Sequence, residues 1–377
     1  MLRRSVLRTA MSAIGSVVVG SRASAQRWGR SNHRDPASLA GSHFQVRYDR
    51  VRLSDGAARE ALRLCESAHT ACRTRFGIEG PDQVLVDLSP DFEGATGFAS
   101  LADPGSRDPD RRLPRIGVRF SELDYLGLDP EYVLTHEVSH VFSGPLAASA
   151  LGEGIADWGA RSFAGLPMRD GWAQVLRSAG LWIDPEAFFL TGEFASSAEV
   201  TAASRTARYA EAGLLVHRLV TQFGWERTRA FGAEYGRLRG SLESNADRRA
   251  PCRPPRGGPA VKTPDPDGIR LLFREGLGMD WNDFLSAWMR SAAGDRLPEA
   301  DSTRLSLTHQ LYGAMRNYEM WLVEQRRRPA DRVQELIRAS FRRANASVAR
   351  GEFVEGGKQL AECRSMVERL KRPAIVL

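Results

Sequence analysis

The chain has 377 residues, 42% hydrophobic and 26% charged, with a formal net charge of +7. That length suits two domains, at about 150 residues each. The composition excludes whole-chain disorder and collagen-like or coiled-coil classes. No apolar run approaches the roughly 18 residues of a membrane span, so no integral membrane segment is expected.

Residues 1–25 read as a signal peptide. Met1 to Thr9 is positively charged, Ala10 to Gly20 is weakly apolar, and Ala23-Ser24-Ala25 is an A-x-A cleavage site. The Arg3-Arg4 pair fits a twin-arginine signal, and equally an ordinary Sec signal. Either route carries the protein out of a bacterial cytoplasm, to the periplasm or beyond. Four of the 53 basic residues lie in this segment and no acid does, leaving 49 basic against 46 acidic side chains. The remainder is only mildly basic and lacks a stripe of basic and aromatic residues, so no nucleic-acid partner is expected.

Residues 26–41 are polar and Gly/Ser/Arg-rich, and read as a flexible leader. Strands are expected at His43–Tyr48, Gln83–Leu88, Gly94–Ala99 and Ile116–Phe120, with a helix over Ala57–Phe76 ended by Gly77. From Asp129 onward the pattern is helical. Residues 240–268, with six prolines, interrupt it as a long loop. Helices resume near Ile269 and at Trp281–Ser291. The last two, about Pro329–Val348 and Phe353–Leu370, form a hairpin that must dock on the main body to bury its face. The fold class is therefore α+β: a small N-terminal mixed sheet with a helix, a mostly helical subdomain, and a helical C-terminal extension. The boundaries are 42–125 for the sheet part, 126–292 for the helical part, and 300–377 for the extension.

Export makes Cys65, Cys72, Cys252 and Cys363 candidates for oxidation. Cys65 and Cys72 share one helix, where seven residues span roughly 10 Å. That exceeds the reach of a disulfide, about 7 Å between Cα atoms, so those two should not pair.

The chemistry lies in His136-Glu137-Val138-Ser139-His140, an H-E-x-x-H sequence on a helix capped by Asp129 and Pro130 and stopped at Gly144. His136 and His140 fall one turn apart on one face, where two imidazoles can hold one zinc ion. Glu137 projects about 100° further round, beside the ion rather than on it. A catalytic zinc needs a third protein ligand and an open position. Glu153, in Leu151-Gly152-Glu153-Gly154-Ile155-Ala156-Asp157-Trp158, can return antiparallel to the histidine face. Asp157, one turn later, can accept the second ring N–H of a histidine. The competing interpretation is two ordinary helix histidines, one of them satisfied by Glu153.

The stretch His136–Trp158 resembles the gluzincin metallopeptidases of the peptidase MA-like type, with H-E-x-x-H and a downstream E-G-x-A. The resemblance extends more weakly over His43–Trp288. It implies one zinc per chain on His136, His140 and Glu153, Glu137 as general base, and a peptide or protein substrate laid along an edge strand, here Ile116–Phe120. It also implies an oxyanion-stabilising Tyr or His after the glutamate helix. Tyr209 is the candidate, with His217 the weaker alternative. Two departures stand out. The His140–Glu153 interval is shorter than in thermolysin-like enzymes, and the aminopeptidase motif G-x-M-E-N is absent, which favours an endopeptidase. The expectation is an exported zinc metallopeptidase. The alternatives are a zinc-holding, non-catalytic envelope binding module, or a structural protein with an accidental motif. Histidines 33, 43, 69 and 309 read as structural. The sequence leaves substrate identity and oligomeric state open.

Overall fold

The computed structural model describes residues 34–90, 97–102, 112–144, 149–163, 166–186, 202–243, 266–324 and 329–371. Its architecture is α+β: a five-stranded mixed sheet near the N-terminus, followed by a mostly helical body. The signal peptide and Cys252 lie outside the described residues, as does most of the 240–268 loop.

Strands β1 (Pro36–Ala40), β2 (Phe44–Asp49), β3 (Val84–Asp87), β4 (Gly97–Ser100) and β5 (Arg115–Val118) run in the order β1-β2-β3-β5-β4. The β2, β3 and β5 strands are mutually parallel, and the outer strands β1 and β4 pair antiparallel to them. Two expectations are corrected here. The leader is not wholly flexible, because Pro36–Ala40 pairs along β2 in register Pro36↔Asp49 to Ala40↔Gln45. The strand at Ile116 is not an edge: it lies between β3 and β4, and the edge next to it is β4. Ile116 and Val118 are buried, and Gly117 leaves room for the Phe98 ring of β4, which a Cβ there would meet at 2.2 Å. The strand also ends early, since a 3-10 turn begins at Phe120.

Helix α1 (Asp55–Phe76) crosses over between β2 and β3. Ser54 caps it by accepting from the Ala57 N–H, and Gly77 ends it at φ 63°, a left-handed conformation that glycine adopts without cost. Cys65 and Cys72 both sit on this helix and are not paired with each other, as the helical spacing requires; both are buried free thiols, and so is Cys363.

The short α2 (Leu123–Leu126) precedes two antiparallel partners, α3 (Pro130–Ser143) and α4 (Ser149–Ala160). Asp129 caps α3 by accepting from the Glu131 N–H, with Pro130 in the first turn. The two helices approach closely because Gly159 offers no side chain where a Cβ would stand 2.1 Å from Ser139 Oγ. A two-stranded hairpin, β6 (Ser162–Phe163) with β7 (Leu166–Pro167), follows within the stretch expected to be helical. Strands of two residues are too short to carry an alternation.

The body continues through α5 (Trp172–Ser178), α6 (Ala202–Phe223), α7 (Trp225–Glu243), α8 (Pro266–Leu277) and α9 (Trp281–Gly294). Then come α10 (Glu299–Glu324), α11 (Asp331–Ala349) and α12 (Phe353–Lys371). The C-terminal helices share the core of the rest. Helix α10 packs along α6, burying Leu305, Leu311, Met315 and Tyr318. The α11–α12 hairpin turns at Gly351, φ 82°, and α11 docks on α2, where Asn345 Nδ2 donates to the Tyr125 carbonyl at 2.9 Å. A buried bidentate ion pair ties Arg119, at the end of β5, to Glu319 of α10, both contacts at 2.9 Å. No helix among the described residues is long and apolar enough to cross a membrane.

Candidate metal centre

Two stripes of side chains at four-residue spacing face each other across the α3–α4 contact. Helix α3 presents Tyr132, His136 and His140, and α4 presents Glu153 and Asp157. Because the helices are antiparallel, the stripes interleave in one ladder. Asp157 Oδ1 accepts from the Tyr132 hydroxyl at 2.6 Å and meets His136 Nδ1 at 2.7 Å. Glu153 Oε2 lies 3.2 Å from His136 Nε2 and 3.3 Å from His140 Nε2.

This donor set fits a tetrahedral zinc ion. Ligand bonds of about 2.0–2.1 Å place tetrahedral ligands about 3.3–3.4 Å apart, close to the two Oε2–Nε2 separations. The three ligand atoms lie within 4.8 Å of one another. With Nδ1 engaged by Asp157, His136 turns Nε2 toward Glu153, and this is the nitrogen that would face an ion held there. Glu137 does not join the cluster. It is 6% exposed, its Oε2 has no hydrogen-bond partner among the described residues, and the edge strand β4 passes directly over it.

The electrostatics follow from burying opposite charges together. Burial pulls His136 down, but the carboxylates around it, Asp157 first and then Glu153 and Glu137, together raise the ring well above its ordinary pKa. Burial pushes Glu153 up, yet the charges and hydrogen bonds of His140 and His136 hold it far below the usual carboxylate range. Burial dominates at Glu137 and carries its pKa up to about 7, with the two histidines restraining the rise. A carboxyl so placed is suited to exchange protons near neutrality.

Helix α6 brings Tyr209 to the same place. The α4–α6 crossing is tight because a Cβ on Gly154 would stand 2.3 Å from the Ala212 carbonyl, and one on Gly213 would stand 2.9 Å from Asp157 Cβ. Tyr209 lies one turn before Gly213. The Glu153 charge is the largest influence raising its pKa, followed by burial, so it is a neutral O–H donor. His217, two turns further on, has Asp170, Arg218 and Asp295 as its charged neighbours and is not part of the ladder.

Of the residues singled out from sequence, His136, His140, Glu153 and Asp157 form the ladder, with Glu137 and Tyr209 beside it. The structure adds three. Tyr132 extends the α3 stripe by one turn. Tyr312 of α10 bears on the acidity of both Tyr132 and Tyr209, and Arg316 on that of Tyr209. Tyr312 and Arg316 share one face of α10 at four-residue spacing, which is the only local signal they carry. Histidines 43 and 309 have structural settings: His43 pairs with Glu66 at 2.8 Å and stacks on His69, and His309 is buried.

Comparison with models of known protein families and with curated proteins returns no match to this chain.

Proposed function

We propose that this chain is an exported zinc-dependent metallopeptidase that hydrolyses peptide bonds, with His136, His140 and Glu153 holding one zinc ion. The observation that carries this reading is the convergence of His136 Nε2, His140 Nε2 and Glu153 Oε2 beside a buried Glu137 whose Oε2 has no hydrogen-bond partner among the described residues. Two histidines held only for packing, already paired with Glu153 and Asp157, would not require a third carboxylate left unsatisfied at their side.

A zinc ion held by His136, His140 and Glu153 would supply Lewis acidity and make an attacking water acidic enough to lose a proton near neutral pH. Glu137 takes the proton of the attacking water and passes it to the leaving amine. The Tyr209 hydroxyl donates to the oxygen of the scissile carbonyl as charge develops there. Asp157 holds the His136 ring in place through Nδ1. The edge strand β4 offers its outer backbone groups to an extended peptide, which orders the substrate beside Glu137.

Glu137→Gln preserves shape and hydrogen bonding but cannot carry the proton. It should retain zinc while peptide turnover falls by about 10²–10⁴-fold. Full turnover in that variant, or wild-type turnover that survives a chelator, would overturn the proposal.

A further inference from the structure

The ladder has a rung that neither the ligands nor the general base account for. The Tyr132 hydroxyl is buried against Asp157 Oδ1, the same oxygen that receives His136 Nδ1. Asp157 is 1% exposed, and its Oδ2 has no hydrogen-bond partner among the described residues. That oxygen is turned toward Gly213, where an added Cβ would lie 3.4 Å away.

The carboxylate torsion of an aspartate is soft, with broad wells rather than sharp ones. Among the described residues, the side-chain hydrogen bonds of Asp157, from Tyr132 and His136, fall on one oxygen, and none on Oδ2 restrains that torsion. A second donor on Oδ1 does. A hydroxyl donating to a carboxylate makes a charge-assisted bond, roughly twice as strong as a neutral one. Tyr132 is also well placed to deliver it. It sits one helical turn before His136, so one rigid helix sets both donors on the same acceptor.

We infer that Tyr132 is a positioning residue of the metal centre: its hydroxyl locks Asp157 with Oδ1 toward His136, and so fixes the ring that turns Nε2 to the ion. This rests on the metal-centre reading above and deepens it. Tyr132 touches neither ion nor substrate. It acts through Asp157, and its effect therefore depends on Asp157 being present.

The test is a double-mutant cycle read by zinc affinity, with a competing chelator and no peptide present. The proteins are full-length wild type, Tyr132→Phe, Asp157→Ala and the double variant. Removing an outer hydrogen-bond partner of a metal-bound histidine weakens metal binding by about 10–100-fold. Tyr132→Phe should lose about tenfold, near the lower end of that range, because His136 keeps its own bond to Asp157. Adding Tyr132→Phe to Asp157→Ala should cost nothing further. If the Ala variant does not fold, Asp157→Asn takes its place: the Tyr132→Phe loss should then shrink, since the charge-assisted part of the bond is gone. Unchanged affinity in Tyr132→Phe, or an equal loss with Asp157 intact and replaced, would overturn the inference and leave the metal centre standing. A wild-type chain that takes up no zinc would overturn both readings, and the two failures are distinct.

Discussion

Gly97 of the edge strand passes so close to Glu137 that a Cβ on it would stand 2.4 Å from Oε1, 3.0 Å from Cδ and 3.2 Å from Cγ. The absent side chain at 97 is what lets β4 lie over the proposed general base. Because the contact reaches back to Cγ, turning the carboxylate alone cannot relieve it.

Gly97→Ala should therefore displace Glu137 while leaving the ligands untouched. A shift of about 1 Å in a catalytic group costs roughly 10²-fold in rate. The expected outcome is a large fall in kcat with zinc content unchanged, read by steady-state kinetics beside metal analysis. A variant with wild-type kcat would show that the β4–Glu137 approach does not set the geometry of the base.

The motif helix was legible because its information is local. Four-residue spacing within α3 puts His136 and His140 on one face whatever the tertiary fold, and the same rule relates Glu153 to Asp157 on α4. Tyr132 follows that rule too, one turn before His136, and could have been found by extending the stripe backward. A strand near Gly97 was legible too, but not that it forms the edge. Sheet order depends on pairing between distant segments, and β4 carries no buried-exposed alternation, while the apolar β5 reads as the more convincing strand. Tyr312 and Arg316 were equally hidden, because they lie far along the chain from Glu153 and reach the site through tertiary packing, largely of α10 on α6. The strand at Pro36–Ala40 is short, made mostly of small residues and exposed at every other position, so it carries little strand signal until β2 is present to pair with it.

The buried Arg119–Glu319 pair joins the exit of the sheet to α10 across 200 residues, with side chains 8% and 6% exposed. Removing one partner of such a pair costs about 3–5 kcal/mol, because a charge is left buried alone. Glu122 also accepts from Arg119, so Glu319→Leu should fall at the lower end of that range. Pairing it with Arg119→Met should recover much of the loss. Urea denaturation of the two single variants and the double variant measures this. Strictly additive losses would mean that the two residues are not coupled.

His309 is buried on α10, and burial lowers its pKa from 6.5 to about 3. The folded state keeps the ring neutral, while the unfolded chain takes up a proton below 6.5. Stability from this residue is complete above that pH and is lost as pH falls toward 3, at up to about 1.4 kcal/mol per pH unit. His309→Leu should flatten the acid limb of the stability profile between those values relative to wild type. Parallel profiles, from denaturation midpoints at several pH values, would contradict this assignment.

Elemental analysis of the purified, metal-replete chain and of His140→Ala tests, without reference to any substrate, whether His136, His140 and Glu153 hold a zinc ion. About one zinc per wild-type chain is expected, lost in the variant, as a three-ligand site requires. A folded wild-type chain without zinc, or a variant that keeps it, would contradict a zinc site on these three residues.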